Sequence, residues 1–143
     1  MVIVVLALLG GACLLWVRRQ HLLVTVSGPS MEPAYESGDR VLVRRVPFAR
    51  VRRGQVVLIE RDRIPAHVQW EEPDFIIKRA VAVPGDPVRP VEFPGLAETA
   101  VPPGNLLVLG DNLTRSYDSR HHGYVPMGRF VGVVVRRLPR RSQ

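Results

Sequence analysis

Lys78 is the only lysine in the chain; every other basic residue among the twenty is an arginine. It lies in an apolar stretch, Phe75-Ile76-Ile77-Lys78-Arg79-Ala80-Val81-Ala82-Val83. An arginine would supply charge there equally well, but only lysine can shed its proton inside a protein. Desolvation in an apolar strand can bring its pKa from about 10.4 to about 7–8, where the free amine becomes a usable base. A lysine at a strand edge whose head group reaches water is the plainer alternative, so the rest of the chain has to decide.

Two further clusters bear on that choice. Ser27-Gly28-Pro29-Ser30-Met31-Glu32-Pro33 is a tight turn that leaves Ser30 near its apex, close to backbone N–H groups. Gly110-Asp111-Asn112 opens a dense polar turn that continues through Ser116, Asp118, Ser119, Arg120, His121, His122 and Gly123. Taken singly, the first is an ordinary serine turn and the second a solvated loop with Asp–Arg pairing. Taken together they fit nucleophilic chemistry, because a serine hydroxyl attacks a carbonyl only when a neighbouring base takes its proton. His21 follows an apolar segment and His67 sits in a polar loop, and both read as bystanders. His121 or His122 with Asp118 would make a Ser-His-Asp arrangement. Lys78 offers the other solution, a Ser-Lys dyad. With period-2 alternation, Ile76 and Ala80 share the face of Lys78, whereas Ile77 and Arg79 point away, which keeps the charged neighbour off the lysine.

Short β-branched runs separated by turn residues must position these groups. Strands are expected at Leu22–Val26, Arg40–Arg44, Gln55–Ile59, Phe75–Val83, Leu106–Leu109 and Phe130–Arg136. Ser37-Gly38-Asp39, Arg53-Gly54, Pro84-Gly85-Asp86 and Pro102-Pro103-Gly104 supply the turns. Residues 60–73 read as a surface loop or wide hairpin. The expected fold is mainly β, a small antiparallel barrel or sandwich, and helix is expected only at the N-terminus.

Residues 1–17 are apolar without interruption and are followed by Arg18 and Arg19. As a helix they span about 25 Å, slightly less than a bilayer core of roughly 30 Å. A cleaved secretory signal would carry its positive residues before the apolar run. Residues 1–19 are therefore expected to be an uncleaved transmembrane anchor, and 20–143 a single catalytic domain. The net charge of +7 could suggest nucleic acid, but the arginines are scattered and aromatic residues make up only 6% of the chain. Anionic lipid beside an anchor accounts for the charge equally well. One cysteine, Cys13, excludes an internal disulfide and a cysteine-based metal site.

Four blocks in order, SGPSMEP at 27–33, GDRVLV at 38–43, KRAVAVPGD at 78–86 and GDNLTRSYDSRHHGYVP at 110–126, resemble the type I signal peptidases, the Ser-Lys proteases of family S26. The resemblance implies Ser30 as nucleophile, Lys78 as general base and Ser116 as the hydroxyl that orients the lysine. Asp118 and Arg120 would form a supporting ion pair, and Gly110, Asp111 and Asn112 would shape the turn. The Ser30 N–H would be one oxyanion donor. Gly28 stands where some members place a second, side-chain donor. Val26, Met31, Ile76 and Ile77 would form shallow apolar substrate pockets, with Gly28 and Tyr35 beside them. Tyr35 replaces the usual leucine of the first block, and Leu113 replaces an arginine after Gly-Asp-Asn. The chain lacks the large domain that some members insert before the last block.

The implied activity is a membrane-bound serine endopeptidase that removes signal or leader peptides from exported precursors, with small residues at the first and third positions before the cut. No cofactor or metal is implied. Arginines after the anchor favour a cytoplasmic domain, but cleavage follows translocation, so a single-pass plasma-membrane protein with its catalytic domain outside is expected. The alternatives are a maturation protease dedicated to one partner, a self-cleaving repressor-type protease, and an inactive binding protein on a protease scaffold. No DNA-binding segment supports the second, and the presence of both Ser30 and Lys78 weighs against the third.

Overall fold

Val56-Val57-Leu58-Ile59 alternates its side chains between two faces, and all four are buried. A strand apolar on both faces belongs in the middle of a sheet covered on each side. In the computed structural model, which describes residues 2–61 and 74–138, this strand is β3 (Val56–Glu60). A helix α1 (Val2–Gln20) leads into β1 (His21–Thr25) and β2 (Arg40–Arg44). After β3 come β4 (Phe75–Ala82), β5 (Asn105–Leu109), the one-turn helix α2 (Ser119–His122), β6 (Val125–Pro126) and β7 (Phe130–Leu138).

The seven strands form one antiparallel sheet in the order β1-β2-β7-β3-β4-β5-β6, a half-barrel. Two core clusters lie on its two sides. Val57, Ile59, Ala80, Leu106, Val108 and Val133 pack in one. Val26, Met31, Val41, Val43, Val56, Leu58 and Ile77 pack in the other. Full burial of one such side chain contributes about 2 kcal/mol. A third cluster, Ala82, Val88, Phe93, Val101 and Leu107, closes the excursion between β4 and β5.

Each expected strand exists, Arg40–Arg44 with the expected ends and the others with shifted ones. The first begins at His21, already paired with Arg44, and the last continues to Leu138, paired with Arg40. β6, the α2 turn and short 3-10 turns at Phe48–Arg50, Leu113–Arg115 and Met127–Arg129 were not expected. Most of the 60–73 loop and His67 lie outside the described residues. Helix α1 covers the stretch expected as an anchor, but among the described residues no helix is long and apolar enough to cross a membrane. The fold thus leaves the expected transmembrane span unconfirmed.

Candidate active site

β4 is held between β3 and β5, and Lys78 stands opposite Val57 in the β3 register. Its side chain is only 4% exposed, and Nζ donates a hydrogen bond to Ser116 Oγ at 2.9 Å. Burial pulls the Lys78 pKa from 10.5 down to about 8; the Arg61 and Arg120 charges push the same way, and Asp118 opposes them. Alternation along β4 sends Ile76 and Ala80 to one core cluster and Ile77 to the other. Arg79 does not simply point to water. Its Nε and Nη2 donate to the two Asp111 carboxylate oxygens at 2.7 and 2.6 Å, and Nη1 donates to the Gly54 carbonyl at 2.7 Å.

The Ser30 turn begins at Gly28, whose φ of +80° lies in the left-handed region that favours glycine. It tightens through Glu32 N–H donating to Pro29 O and Tyr35 N–H donating to Met31 O. The Ser30 carbonyl accepts from Asn112 N–H at 3.0 Å, which docks this turn against the one that opens at Gly110. Gly110 makes the approach possible. A Cβ there would collide with Ser116 Oγ and would lie 2.5 Å from both Ser116 Cβ and the Ser30 carbonyl oxygen.

Asp118 is fully buried and receives hydrogen bonds from Arg120 Nε and Nη2 at 2.9 and 3.0 Å and from Gly110 N–H at 3.0 Å. Its burial alone would raise the carboxyl pKa, but Arg120, Gly110 N–H and Ser116 outweigh that and hold it at about 2. It also caps α2 at Arg120 N–H, while His121 Nδ1 accepts from Asp118 N–H at 3.3 Å. His121 is thus occupied in a local capping box. Ser119, which sequence reasoning left without a role, is buried and accepts from Val108 N–H through Oγ at 2.9 Å.

A cavity of about 350 Å³ brings the two main elements together. Val24 through Ser30 line one side, and Phe75, Ile76, Ile77 and Lys78 line another. Of the expected pocket residues, Val26, Gly28, Ile76 and Ile77 line it. Met31 and Tyr35 are not among the lining residues: Met31 is 1% exposed in the core, and Tyr35 packs against the same cluster. The turn after Ser30 directs both inward. Arg61, Arg115, Tyr117 and Arg129 complete the wall and were not anticipated; His122, weighed above as a base with Asp118, also lines it. Two strand edges border the cavity. β1 ends the sheet, and β5 pairs with β4 only from Arg79 onward, so among the described residues no strand pairs with that side of Phe75–Lys78. Among the described residues no group of three His, Cys, Asp or Glu side chains is placed to hold a metal.

Known proteins resemble this chain in sequence. A family model described as signal peptidase, peptidase S26, matches residues 1–93 and 89–138. The mitochondrial ATP-independent inner membrane protease subunit 1a of Arabidopsis thaliana is 32% identical over 135 residues, covering 88% of this chain and 76% of its own length. Signal peptidase I of Bacillus caldolyticus is 29% identical over 144 residues, covering 76% and 74%. The mitochondrial inner membrane protease subunit 1 of Mus musculus is 31% identical over 113 residues, covering 76% and 64%. With a buried lysine, a serine turn and this family match in the same molecule, the chain belongs to the S26 signal peptidase family and is a serine endopeptidase.

Proposed function

We propose that this peptidase is membrane-bound and removes N-terminal signal or leader peptides from exported precursors, with Ser30 as nucleophile and Lys78 as general base. The observation that carries the reading is the Lys78 amine, buried, held by Ser116 and facing the cavity that Ser30 also lines. Neutral Nζ takes the Ser30 hydroxyl proton as Oγ bonds to the scissile carbonyl carbon. The Ser30 N–H supports the oxyanion that forms. The resulting ammonium then gives its proton to the departing amine, and the C–N bond breaks to leave an acyl-serine. Water, deprotonated by the same lysine, attacks the acyl carbon and restores Ser30. Ser116 orients the amine throughout, and the Asp118–Arg120 pair fixes the turn that carries Ser116.

The two strand edges support the proposed substrate class. An extended peptide pairing with them presents alternate side chains to one face, so the first and third residues before the cut meet the same wall. Val26, Ile76 and Ile77 with Gly28 make that wall apolar and shallow, which suits alanine-sized side chains. Residues 1–19 serve as the anchor and 20–143 as the catalytic domain, in a single pass of the plasma membrane with the domain outside. The anchor holds enzyme and precursor on one surface and raises their effective concentration.

Detergent-solubilised protein incubated with a panel of signal-bearing precursors, with the cut located by mass spectrometry, tests the activity. Cleavage after a small residue is expected, and no cut in any precursor overturns the reading. Orientation is tested with Cys13→Ala and Val91→Cys, since Val91 is 96% exposed. A membrane-impermeant thiol reagent should label intact cells. Labelling only after lysis places the domain inside and removes the export role.

A further inference from the structure

Ser116, Tyr117 and Asp118 follow one another along an extended stretch, with Ser116 at φ −126°, ψ 129° and Asp118 at φ −152°, ψ −162°. Alternation sends Ser116 and Asp118 inward, where both are buried, and leaves Tyr117 between them on the outside, 68% exposed. An exposed side chain on a loop ordinarily moves between rotamers. This one is backed. Its ring is stacked on the His121 imidazole, with centroids 4.9 Å apart and planes 21° from parallel, and His122 lies tilted beside it at 5.7 Å. His121 is itself fixed, because Nδ1 accepts from Asp118 N–H in the α2 capping box and Arg120 holds Asp118. The Tyr117 ring also lines the cavity that contains Ser30 and Lys78.

On the peptidase reading above, the chain before the cut runs along Val24–Ser27 and Phe75–Ile77 and delivers its scissile bond to Ser30 and Lys78. Lys78 protonates the departing amine, so the chain after the cut leaves past Nζ. Ser116 Oγ lies 2.9 Å from Nζ, and Tyr117 is the next residue. A peptide side chain laid on the exposed part of the ring buries apolar area on both partners, and a ring already held by His121 loses little further freedom. Aromatic side chains gain most, since offset stacking adds to the burial. We propose that Tyr117 is a specificity-determining residue for the leaving side, selecting precursors with an aromatic or large aliphatic side chain at the first or second position after the cut. The inference rests on the peptidase reading, and it extends selection from the residues before the cut to those that follow it. An exposed tyrosine also suits a membrane interface. Its place in the cavity wall favours the peptide.

The test uses full-length protein in neutral detergent and alanine-rich peptides in which the first or second residue after the cut is Phe, Leu, Ala or Ser. Two readouts are taken: kcat/KM with the native protein, and Kd for the same peptides with the Ser30→Ala variant. At one of the two positions, Phe is expected to exceed Ser by about three- to tenfold in both readouts, with Leu between them. Tyr117→Ala should bring that ratio close to one, and Tyr117→Phe should preserve it. Efficient cleavage at equal rates for all four residues overturns the selection and leaves the peptidase reading standing. A Phe preference in Kd without cleavage supports the selection and removes the peptidase mechanism. Equal Kd values with no cleavage overturn the inference, as does a Phe-to-Ser ratio unchanged by Tyr117→Ala. Equal rates, together with weaker binding of the Tyr117→Ala protein to phosphatidylglycerol vesicles, assign the ring to lipid and also overturn it.

Discussion

Arg79 grips Asp111 with two parallel hydrogen bonds, Nε to Oδ1 at 2.7 Å and Nη2 to Oδ2 at 2.6 Å. Each partner is the chain neighbour of a residue that frames the site, Arg79 of Lys78 and Asp111 of Gly110. The fork therefore ties β4 to the turn that carries Ser116. Arg79→Lys keeps the charge but not the planar fork, so kcat should fall about tenfold while KM changes little. Asp111→Asn should do the same. A double-mutant cycle in kcat/KM should give a coupling of about 1 kcal/mol, since the pair is partly solvated. Additive losses would show that the fork does not position the amine.

Lys78 should be expendable for folding and indispensable for activity. Lys78→Arg should be inactive, because a guanidinium cannot act as a base at any working pH. Lys78→Met should be inactive too, and more stable at pH 7. The folded pKa is near 8 against 10.5 unfolded, so the charged amine opposes folding below pH 8 and that cost disappears as pH rises toward 10.5. The shift corresponds to at most about 3 kcal/mol. Denaturant melts of wild type and Lys78→Met at pH 7 and pH 10 should differ at the lower pH and converge at the higher one.

The rate should carry the same signature. The active form is the neutral amine, so kcat/KM should climb through about pH 8 and level above it. A histidine base would place the rise nearer pH 6.5. Ser116→Ala, by removing the hydroxyl that receives the Nζ hydrogen bond, should lower the plateau by about ten- to a hundredfold without abolishing it. A flat profile between pH 6 and 9 would remove Lys78 from the base role.

Gly110→Ala should be more damaging than its single methyl group suggests. The added Cβ meets Ser116 and the Ser30 carbonyl at once, and neither is the far end of a flexible side chain. The two turns must separate. A loss of at least about a hundredfold in kcat/KM is expected, with a stability loss of about 1–3 kcal/mol from overpacking. Near-normal kinetics for this variant would show that the Ser30 and Ser116 turns need not touch.

The strands were legible because β-branched runs and turn residues alternate, and the Arg40–Arg44 run falls where expected to the residue. Their order was not, because nothing local tells β7 to insert between β2 and β3. β6, with two residues, is too short for any periodicity. Met31 and Tyr35 were expected beside the substrate because they follow Ser30. The turn instead carries them into the core, where Met31 is almost fully buried. The Arg79–Asp111 fork was the more readable omission. An arginine inside an apolar strand must find an acceptor, and Asp111 sits in the dense polar turn that also carries Ser116. The arginines of the cavity wall come from the end of β3 and from two separate 3-10 turns, and only tertiary structure collects them.

The position of β7 has a consequence for when this molecule becomes active. β1 and β2 support the Ser30 turn, and β3, β4 and β5 support Lys78. In the strand order these two groups are joined only through β7, which pairs with β2 on one side and β3 on the other. β7, the last of the described strands, is thus the hinge pin of the sheet. A chain cut short before Phe130 keeps the Asn112–Ser30 contact and the core that Val26 and Met31 share with Leu58 and Ile77, but it loses the strand that joins β2 to β3. Such a fragment is expected to misalign Ser30 and Lys78, so proteolytic competence should await the pairing of β7 with β2 and β3.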